Sequence, residues 1–162
     1  MDLSGSAPEP CLQHAALCYR VIKHRPQILL ITSRDTGRWL LPKGWPIPGL
    51  TPEQSAEQEA FEEAGVKGVA SADSLGTYPY YKLIPPDRLV PCTVSVYPLR
   101  VLRVHKHFPE HRQRERKWLA PDAARALVQE PGLQEIIALF AAAIAPVVAA
   151  KPGKSAVRKG NG

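Results

Sequence analysis

Three glutamates, Glu59, Glu62 and Glu63, stand at spacings that bring their carboxylates together if this stretch is helical. Like charges at these spacings repel by roughly 0.2–0.5 kcal/mol per pair, and the last turn of a helix disfavours anions further. A divalent cation would offset both effects, because cations such as Mg²⁺ take carboxylate oxygens as ligands. A solvated acidic helix face is the alternative that these three residues alone leave open.

The helix that must carry these glutamates has clear start and stop signals. Thr51 is a suitable N-cap, Pro52 suits the first helical position, and Gln54 completes a capping box. Gly65 is a typical C-terminal stop. Alanines recur every four residues and, with Phe61, predict a face that lies on a sheet; they are Ala56, Ala60 and Ala64.

This segment resembles the signature of the Nudix hydrolases. The residues that match are Gly44, Glu59, Ala60, Glu62, Glu63, Gly65 and Val66. Two positions depart from the family pattern, with Leu50 in place of a Glu and Gln58 in place of an Arg. The resemblance implies a Nudix α/β/α sandwich with a mixed sheet, and a Mg²⁺ or Mn²⁺ cofactor held by Glu59, Glu62 and Glu63.

Shorter islands are similar to the diphosphoinositol polyphosphate phosphohydrolases within that family. They are residues 15–20, 28–34, 38–44, 62–68 and 114–128. By position, this likeness implies a set of phosphate-binding side chains: Arg20, Ser33, Arg34, Lys43, Arg114 and Arg116. Gly44 is expected where the backbone passes close to phosphates and metal. For Arg114 and Arg116, a solvated basic loop explains the residues equally well.

The missing glutamate at position 50 leaves the general base open. Glu59, Glu63 and Glu115 are the candidates, and Glu110 is a further carboxylate outside the signature. We favour Glu115 over Glu110 because it lies closer to the strand expected at Trp118. The predicted catalytic set is therefore Glu59, Glu62, Glu63 and Glu115.

Histidines and tyrosines also occur in groups. His105, His107 and His111 are expected to be solvent-exposed on a charged loop, since no cysteine accompanies them at zinc-binding spacing. Tyr78, Tyr80 and Tyr81 could stack on a base, although aromatics in a strand more often pack against neighbouring strands.

Hydrophobic segments predict strands at 14–22, 28–34, 39–42, 76–84 and 93–104, and helices at 121–129 and 133–145. The pattern indicates an α/β or α+β fold with one domain at 14–146. Residues 1–13 are expected to form a flexible arm, and residues 147–162 a basic disordered tail.

Composition limits the compartment and the partners. Lys and Arg number 21 against 15 Asp and Glu, which favours an anionic small-molecule substrate, while no nucleic-acid-binding motif is present. Cys11, Cys18 and Cys92 are expected to be free thiols in a reducing compartment. The N-terminus lacks a signal-peptide pattern, and the apolar run 136–150 is too short for a membrane span, so we expect a cytoplasmic monomer or homodimer.

These features together predict a metal-dependent hydrolase that cleaves a phosphoanhydride bond. The resemblance implies diadenosine polyphosphates or diphosphoinositol polyphosphates as substrates, with ADP-ribose or a nucleotide sugar as the alternative. Because Leu50 and Gln58 depart from the signature, a degenerate domain that binds nucleotides without cleavage is a second alternative. An RNA-end pyrophosphohydrolase would suit the basic charge, but the expected aromatic-plus-basic patterning is weak.

Overall fold

The computed structural model describes residues 11–157, with side chains through residue 149. Its centre is an eight-stranded mixed sheet in which five strands lie in the order β3-β2-β1-β7-β5. The remaining strands β4, β6 and β8 pair with β1, β7 and β2 respectively. The strands are β1 (Cys11–Ile22), β2 (Arg25–Thr32), β3 (Trp39–Leu40), β4 (Lys43–Gly44), β5 (Val66–Ala70), β6 (Gly76–Ile84), β7 (Arg88–Val104) and β8 (Arg116–Leu119).

The sheet is mixed because β1 and β7 run parallel, from the pair Cys11 and Cys92 to the pair Tyr19 and Arg100. The other pairings are antiparallel. Strand β1 thus lies at the centre, with β2 on one side and β7 on the other. The predicted α/β fold with a mixed sheet is confirmed.

Helices cover both faces of the sheet. On one face lies α1 (Pro52–Glu59), and on the other lie α2 (Pro121–Leu127) and α3 (Pro131–Val157). Each face has its own hydrophobic core. The α1 core contains the predicted alanine face, Ala56, Ala60 and Ala64, packed on sheet residues such as Leu29, Ile31 and Leu99. The α3 core contains Leu133, Ile136, Ile137 and Phe140 against Leu17, Leu30 and Tyr78.

The cap signals of α1 act as predicted, but the last turn of the helix is wider than an α-helix. Thr51 accepts a hydrogen bond from the Gln54 backbone, and the Gln54 side chain completes the capping box. After Glu59 the chain continues as a π-helical turn (Ala60–Ala64), which ends at Gly65 with a left-handed φ of 70°. Turns of this kind often occur at functional sites.

Both predicted domain boundaries require correction. Strand β1 starts at Cys11, so only residues 1–10 of the expected arm lie outside the described residues. Helix α3 passes through Pro146 and reaches Val157, so the expected disordered tail 147–162 is helical up to that residue. Pro146 removes one backbone hydrogen bond, whereas burial of Val148 keeps the following turn on the protein.

The same helix is longer and more apolar than the sequence run suggested. By length and composition, Pro131–Ala149 is the one helix in the described part of the chain that could cross a membrane. One side of it nevertheless packs in the α3 core, with Leu133 and Ile137 fully buried. Its apolar composition is thus explained at least in part by its place in the protein interior.

The expectation of three free thiols is wrong. Cys11 and Cys92 face each other across the parallel ladder of β1 and β7, with Cα atoms 4.4 Å apart, and form a disulfide. Cys18 is a free, buried thiol, and burial raises its pKa. A separation of 81 residues hides the pairing from the sequence, because only the sheet topology brings the two strands together. The disulfide also removes the argument for a reducing compartment.

Candidate active site

A cavity of about 370 Å³ opens where β4, the π-helical turn and the loop before β8 meet. We call it the central cavity. It is lined by acidic, basic and apolar side chains: Gln13, Ser33, Arg34, Asp35, Leu40, Lys43, Gly44, Trp45, Pro46, Ile47, Pro48, Glu59, Glu63, Tyr80, Lys82, Glu110 and Arg114. Charges of both signs therefore meet in one small volume.

Gly44 allows Glu59 to approach the backbone of β4. A Cβ atom at position 44 would overlap the Glu59 carboxyl group and lie 2.6 and 2.7 Å from its two oxygens. Any side chain here would push the carboxylate away. The glycine is thus required by the close approach of Glu59, which fixes the place of this carboxylate in the cavity.

Glu59 and Glu63 form a carboxyl pair in the central cavity. Burial and the neighbouring Glu63 raise the pKa of Glu59 to about 8, with Glu62 and Glu110 adding further repulsion. Burial also raises the pKa of Glu63, although Arg114 and the backbone N–H of Lys43 oppose this. That N–H donates to Glu63 Oε1 at 3.1 Å. Without a cation, the pair therefore holds on to a proton near neutral pH.

Arg114 is the cationic partner of these carboxylates. Its Nε donates to Glu110 Oε1 at 2.8 Å, its Nη2 lies 3.4 Å from Glu63 Oε2, and its Nη1 donates to the Thr32 carbonyl at 3.0 Å. Only 8% of the Arg114 side chain is exposed. The guanidinium thus ties the loop before β8 to both β2 and the π-helical turn.

Another part of the cavity wall is basic and aromatic. Lys43 Nζ lies 3.9 Å from the centre of the Tyr80 ring, which suits a cation–π contact. Burial lowers the pKa of Lys43 to about 8; Glu63 opposes this shift, and the positive charges of Lys82 and Arg38 add to it. Arg34 reaches the cavity from the turn after β2 and donates to Gln113 at 3.1 Å. This wall is suited to an anionic group.

Most of the residues predicted for the site lie in this cavity. They are Ser33, Arg34, Lys43, Gly44, Glu59, Glu63 and Arg114. Glu62 lies beside it rather than in its lining, and accepts a hydrogen bond from Gln58 Nε2 at 2.7 Å. The amide of Gln58 therefore contacts the one signature glutamate that is not part of the cavity lining.

The structure places Arg20 and Arg116 outside the cavity, in structural roles. Arg20 stacks on Trp118 at 4.0 Å and donates a hydrogen bond to Gln27. In β1, Arg20 lies six residues after His14, the residue that pairs with Gly44 of the cavity. At about 3.3 Å per residue, the backbone of Arg20 is roughly 20 Å along the strand from that of His14. Arg116 donates to the carbonyls of Ala64 and His105, both at 2.7 Å. Neither arginine is placed to bind a phosphate in the cavity.

The preference for Glu115 over Glu110 is also wrong in position. Glu115 is exposed, and its backbone pairs with Thr32 at the start of β8. Glu110 lines the cavity because its loop folds back onto the π-helical turn, where its N–H bonds the Glu62 carbonyl at 3.0 Å. Closeness in sequence to Trp118 was therefore a poor guide, since β8 leads away along β2.

Sequence reasoning missed Gln13 and Lys82 and left Tyr80 undecided. Gln13 is 2% exposed, lines the cavity, and its Oε1 has no hydrogen-bond partner in the described part of the protein. Tyr78, Tyr80 and Lys82 alternate along one face of β6, which runs from the fully buried Tyr78 to the cavity. That alternation was the available signal. Tyr81 points the other way and is 62% exposed.

The histidines of the charged loop are not all exposed as expected. His107 is exposed, whereas His105 packs edge-on against Phe61 and His111 Nδ1 lies 2.8 Å from the Phe108 carbonyl. Within residues 11–157, no group of three or more His, Cys, Asp or Glu side chains is already arranged as a metal site.

A model of the NUDIX domain matches residues 12–140 of this chain. The chain belongs to the Nudix family. The Arabidopsis thaliana protein "Nudix hydrolase 16, mitochondrial" is 33% identical over 114 residues, which cover 68% of this chain and 63% of that protein. The chain thus spans less than two-thirds of the length of this relative.

A second relative belongs to the subfamily that the shorter islands of sequence resemble. Diphosphoinositol polyphosphate phosphohydrolase 3-alpha of Mus musculus is 41% identical over 54 residues, 33% of each protein. The crystal structure of C. elegans Ap4A hydrolase superposes with a TM-score of 0.63, covering 84% of this chain and 99% of that one at 17% identity. At this identity the likeness is one of fold. The predicted family and its sandwich fold are confirmed.

Nudix hydrolases generally use divalent metal ions, and the residues present fit such an ion in their chemistry. Glu59 and Glu63 offer carboxylate oxygens inside the cavity, the preferred ligands of Mg²⁺ and Mn²⁺. Gly44 leaves room for the Glu59 carboxylate, whose pKa is raised by burial and by the neighbouring carboxylates. Glu62 and Glu110 are the nearby carboxylates that could join them.

Proposed function

We propose that this protein is a Mg²⁺- or Mn²⁺-dependent hydrolase that cleaves a phosphoanhydride bond in a nucleoside or inositol polyphosphate. One observation carries the proposal. The central cavity is lined both by a carboxyl pair, Glu59 and Glu63, and by a basic wall that contains Arg34, Lys43 and Lys82. A polyphosphate bound in the cavity would lie near the carboxyl pair and the basic wall at once.

The acidic and the basic side chains of the cavity would have different roles in hydrolysis. Arg34 and Lys82 would bind phosphate oxygens, Arg34 by a bidentate contact and Lys82 as a point charge. Glu59, Glu63 and the nearby Glu62 would hold the divalent ion. That ion would supply charge neutralisation and a water of lowered pKa. Glu110, which also lines the cavity, would accept the proton of the attacking water.

The relatives favour two substrate classes. Diphosphoinositol polyphosphate phosphohydrolases share sequence with the chain, and an Ap4A hydrolase shares its fold. Both names denote substrates with a run of anionic phosphates, which suits the basic wall. We therefore propose diadenosine polyphosphates or diphosphoinositol polyphosphates as substrates, and an anionic small molecule as the principal partner.

The test is product release from diadenosine tetraphosphate, a diphosphoinositol phosphate and ADP-ribose, each with Mg²⁺, with Mn²⁺ and with EDTA. We expect metal-dependent cleavage of one of the first two. Glu63→Gln should lower turnover by at least about 100-fold, since it removes an ion ligand. Glu115→Gln is the matched control, because this exposed carboxylate lies outside the cavity, and it should retain wild-type turnover.

Other outcomes would select the alternatives. Cleavage of ADP-ribose alone would indicate a nucleotide-sugar pyrophosphatase. Thermal stabilisation by these ligands without any turnover would indicate a degenerate domain that only binds nucleotides, in line with Leu50 and Gln58. Equal activity of the Glu63→Gln and wild-type proteins would contradict the assignment of the carboxyl pair.

A further inference from the structure

Arg114 lies next to two glutamates of the central cavity and carries the charge that compensates theirs. Its guanidinium contacts two carboxylates, Glu110 at 2.8 Å and Glu63 at 3.4 Å, and its third contact is the Thr32 carbonyl at 3.0 Å. Its side chain is 8% exposed and that of Glu63 is 10% exposed. A pair this buried is screened little by water or salt.

The other basic side chains of the central cavity are engaged elsewhere. Lys43 Nζ lies over the Tyr80 ring, Lys82 Nζ lies 5.9 Å from the centre of the Trp45 ring, and Arg34 donates to Gln113. In the part of the chain that the structure describes, Arg114 is the one side chain that forms an ion pair with Glu63. Arg114 is therefore the direct ion-pair partner of Glu63, while the Lys43 ammonium acts on Glu63 without an ion-pair contact.

Both oxygens of Glu63 are occupied in this arrangement. Oε1 accepts the Lys43 backbone N–H at 3.1 Å, and Oε2 faces Arg114. A divalent cation bound to Oε2 would lie next to the guanidinium, and two cations at such a separation repel strongly in a buried site. The ion and the Arg114 guanidinium would therefore compete for Glu63 Oε2.

We propose that Arg114 is a resident counter-ion of the carboxyl cluster and that a divalent cation binds by displacing its guanidinium from Glu63. The inference rests on the proposed function for the identity of the cation. The contacts with Thr32 and Glu110 keep the arginine at the edge of the site after the exchange. The released Nη2 then faces the cavity, where a phosphate of the substrate can accept its hydrogen bond.

The direct test is Mn²⁺ affinity, measured from the loss of the free-Mn²⁺ electron paramagnetic resonance signal on titration with protein. Arg114→Gln should bind Mn²⁺ roughly three- to tenfold more tightly than the wild type, because the ion no longer competes with an ion pair. Arg34→Gln is the matched control. It removes one positive charge from the same cavity but no contact with a carboxylate, so its affinity should change by less than about twofold.

Thermal denaturation gives a second readout. In EDTA, Arg114→Gln should melt below the wild type, because the buried Glu63 and the half-buried Glu110 lose their partner. With saturating Mn²⁺ this difference should shrink. An equal difference in EDTA and in Mn²⁺ would show that the ion does not take over the role of the arginine, and would overturn the proposal.

The remaining outcomes separate this proposal from the proposed function. Weaker or unchanged Mn²⁺ binding in folded Arg114→Gln overturns the exchange, as does an equal gain in Arg34→Gln. If Arg114→Gln does not fold, Arg114→Lys decides, with a smaller gain expected and no gain overturning the proposal. If Arg114→Gln binds Mn²⁺ and the wild type does not, the counter-ion role of Arg114 is supported and the proposed metal dependence of the wild type is contradicted. If neither protein binds Mn²⁺, both proposals are overturned.

Discussion

Glu59 and Glu63 could be located from the sequence because their spacing and residue type carry the chemistry. The contact between Arg114 and Glu63, and the place of Gln13 in the cavity, could not. Arg114 is 51 positions beyond Glu63 in the chain, and only folding of the loop over the π-helical turn brings them together. Gln13 stands in the central strand β1 between Leu12 and His14, and nothing in this local sequence marks it as part of a cavity.

Gly44→Ala tests the close approach of Glu59. The added Cβ overlaps the Glu59 carboxyl group, which must then move by about the size of a methyl group. We expect cleavage of the substrate to fall on the order of 10- to 100-fold, since a displacement of about 1 Å is enough for such a loss. Gly49→Asn is the control, because its left-handed backbone tolerates Asn and its surroundings are open. Steady-state kinetics of both variants would decide.

The raised pKa of Glu59 predicts how pH affects the metal-free protein. A carboxyl group with a pKa of about 8 when folded and 4.5 when unfolded binds its proton more tightly in the folded state. Its contribution to stability is therefore present below pH 4.5 and is lost as the pH rises toward 8. Glu59→Gln stays neutral, so in EDTA its melting temperature should rise relative to the wild type across this interval. A constant difference would contradict the raised pKa.

At the scale of elements, the periodicity of apolar residues predicted the existence and type of the helices and strands better than it predicted their ends. The predicted strand 76–84 has the bounds observed for β6, and Thr51 and Gly65 mark the ends of the acidic helix as expected. The π-helical turn was not foreseeable from the residue types, and its contacts with Phe108 and with the Glu110 N–H involve a loop far along the chain. The last helix was underestimated because Pro146 was read as its end.

Arg116→Met tests whether this arginine joins elements or binds substrate. Its two donors satisfy the carbonyls of Ala64 and His105, and thereby fasten the end of the π-helical turn to the loop after β7. Removal should lower the free energy of unfolding by about 1–3 kcal/mol. The KM of the folded enzyme should not change, whereas a phosphate-binding role would raise it. Arg112→Met, at an exposed position of the same loop, should leave stability within about 0.5 kcal/mol.

At the scale of the whole molecule, the alternating order of strands and helices predicted a layered fold, and the signature specified which one. The pairing partners were not predictable from patterns alone. Strand β1 pairs in parallel with β7, some 80 residues later, and this single ladder places Cys11 against Cys92. An odd number of cysteines with no motif spacing gave no hint of that contact.

Thiol counting tests the disulfide. Alkylation of the denatured, unreduced protein should label Cys18 alone, and after reduction all three cysteines should react. Reduction should also lower the free energy of unfolding by about 2–4 kcal/mol, since the bond closes a long loop in the unfolded chain. Mass spectrometry and denaturant titration measure the two effects. Labelling of all three cysteines without reduction would contradict the pairing.

The central position of β1 has a consequence for how the protein is made. The first strand of the described chain acquires its partner on one side only when residues 92–100 have been synthesised. Until then, an apolar strand with fully buried Ala15, Ala16 and Leu17 in the finished protein has an open edge on the ribosome. We therefore expect the nascent chain to depend on chaperones during translation, and expression yield to respond to their supply more than the thermodynamic stability of the finished fold would suggest.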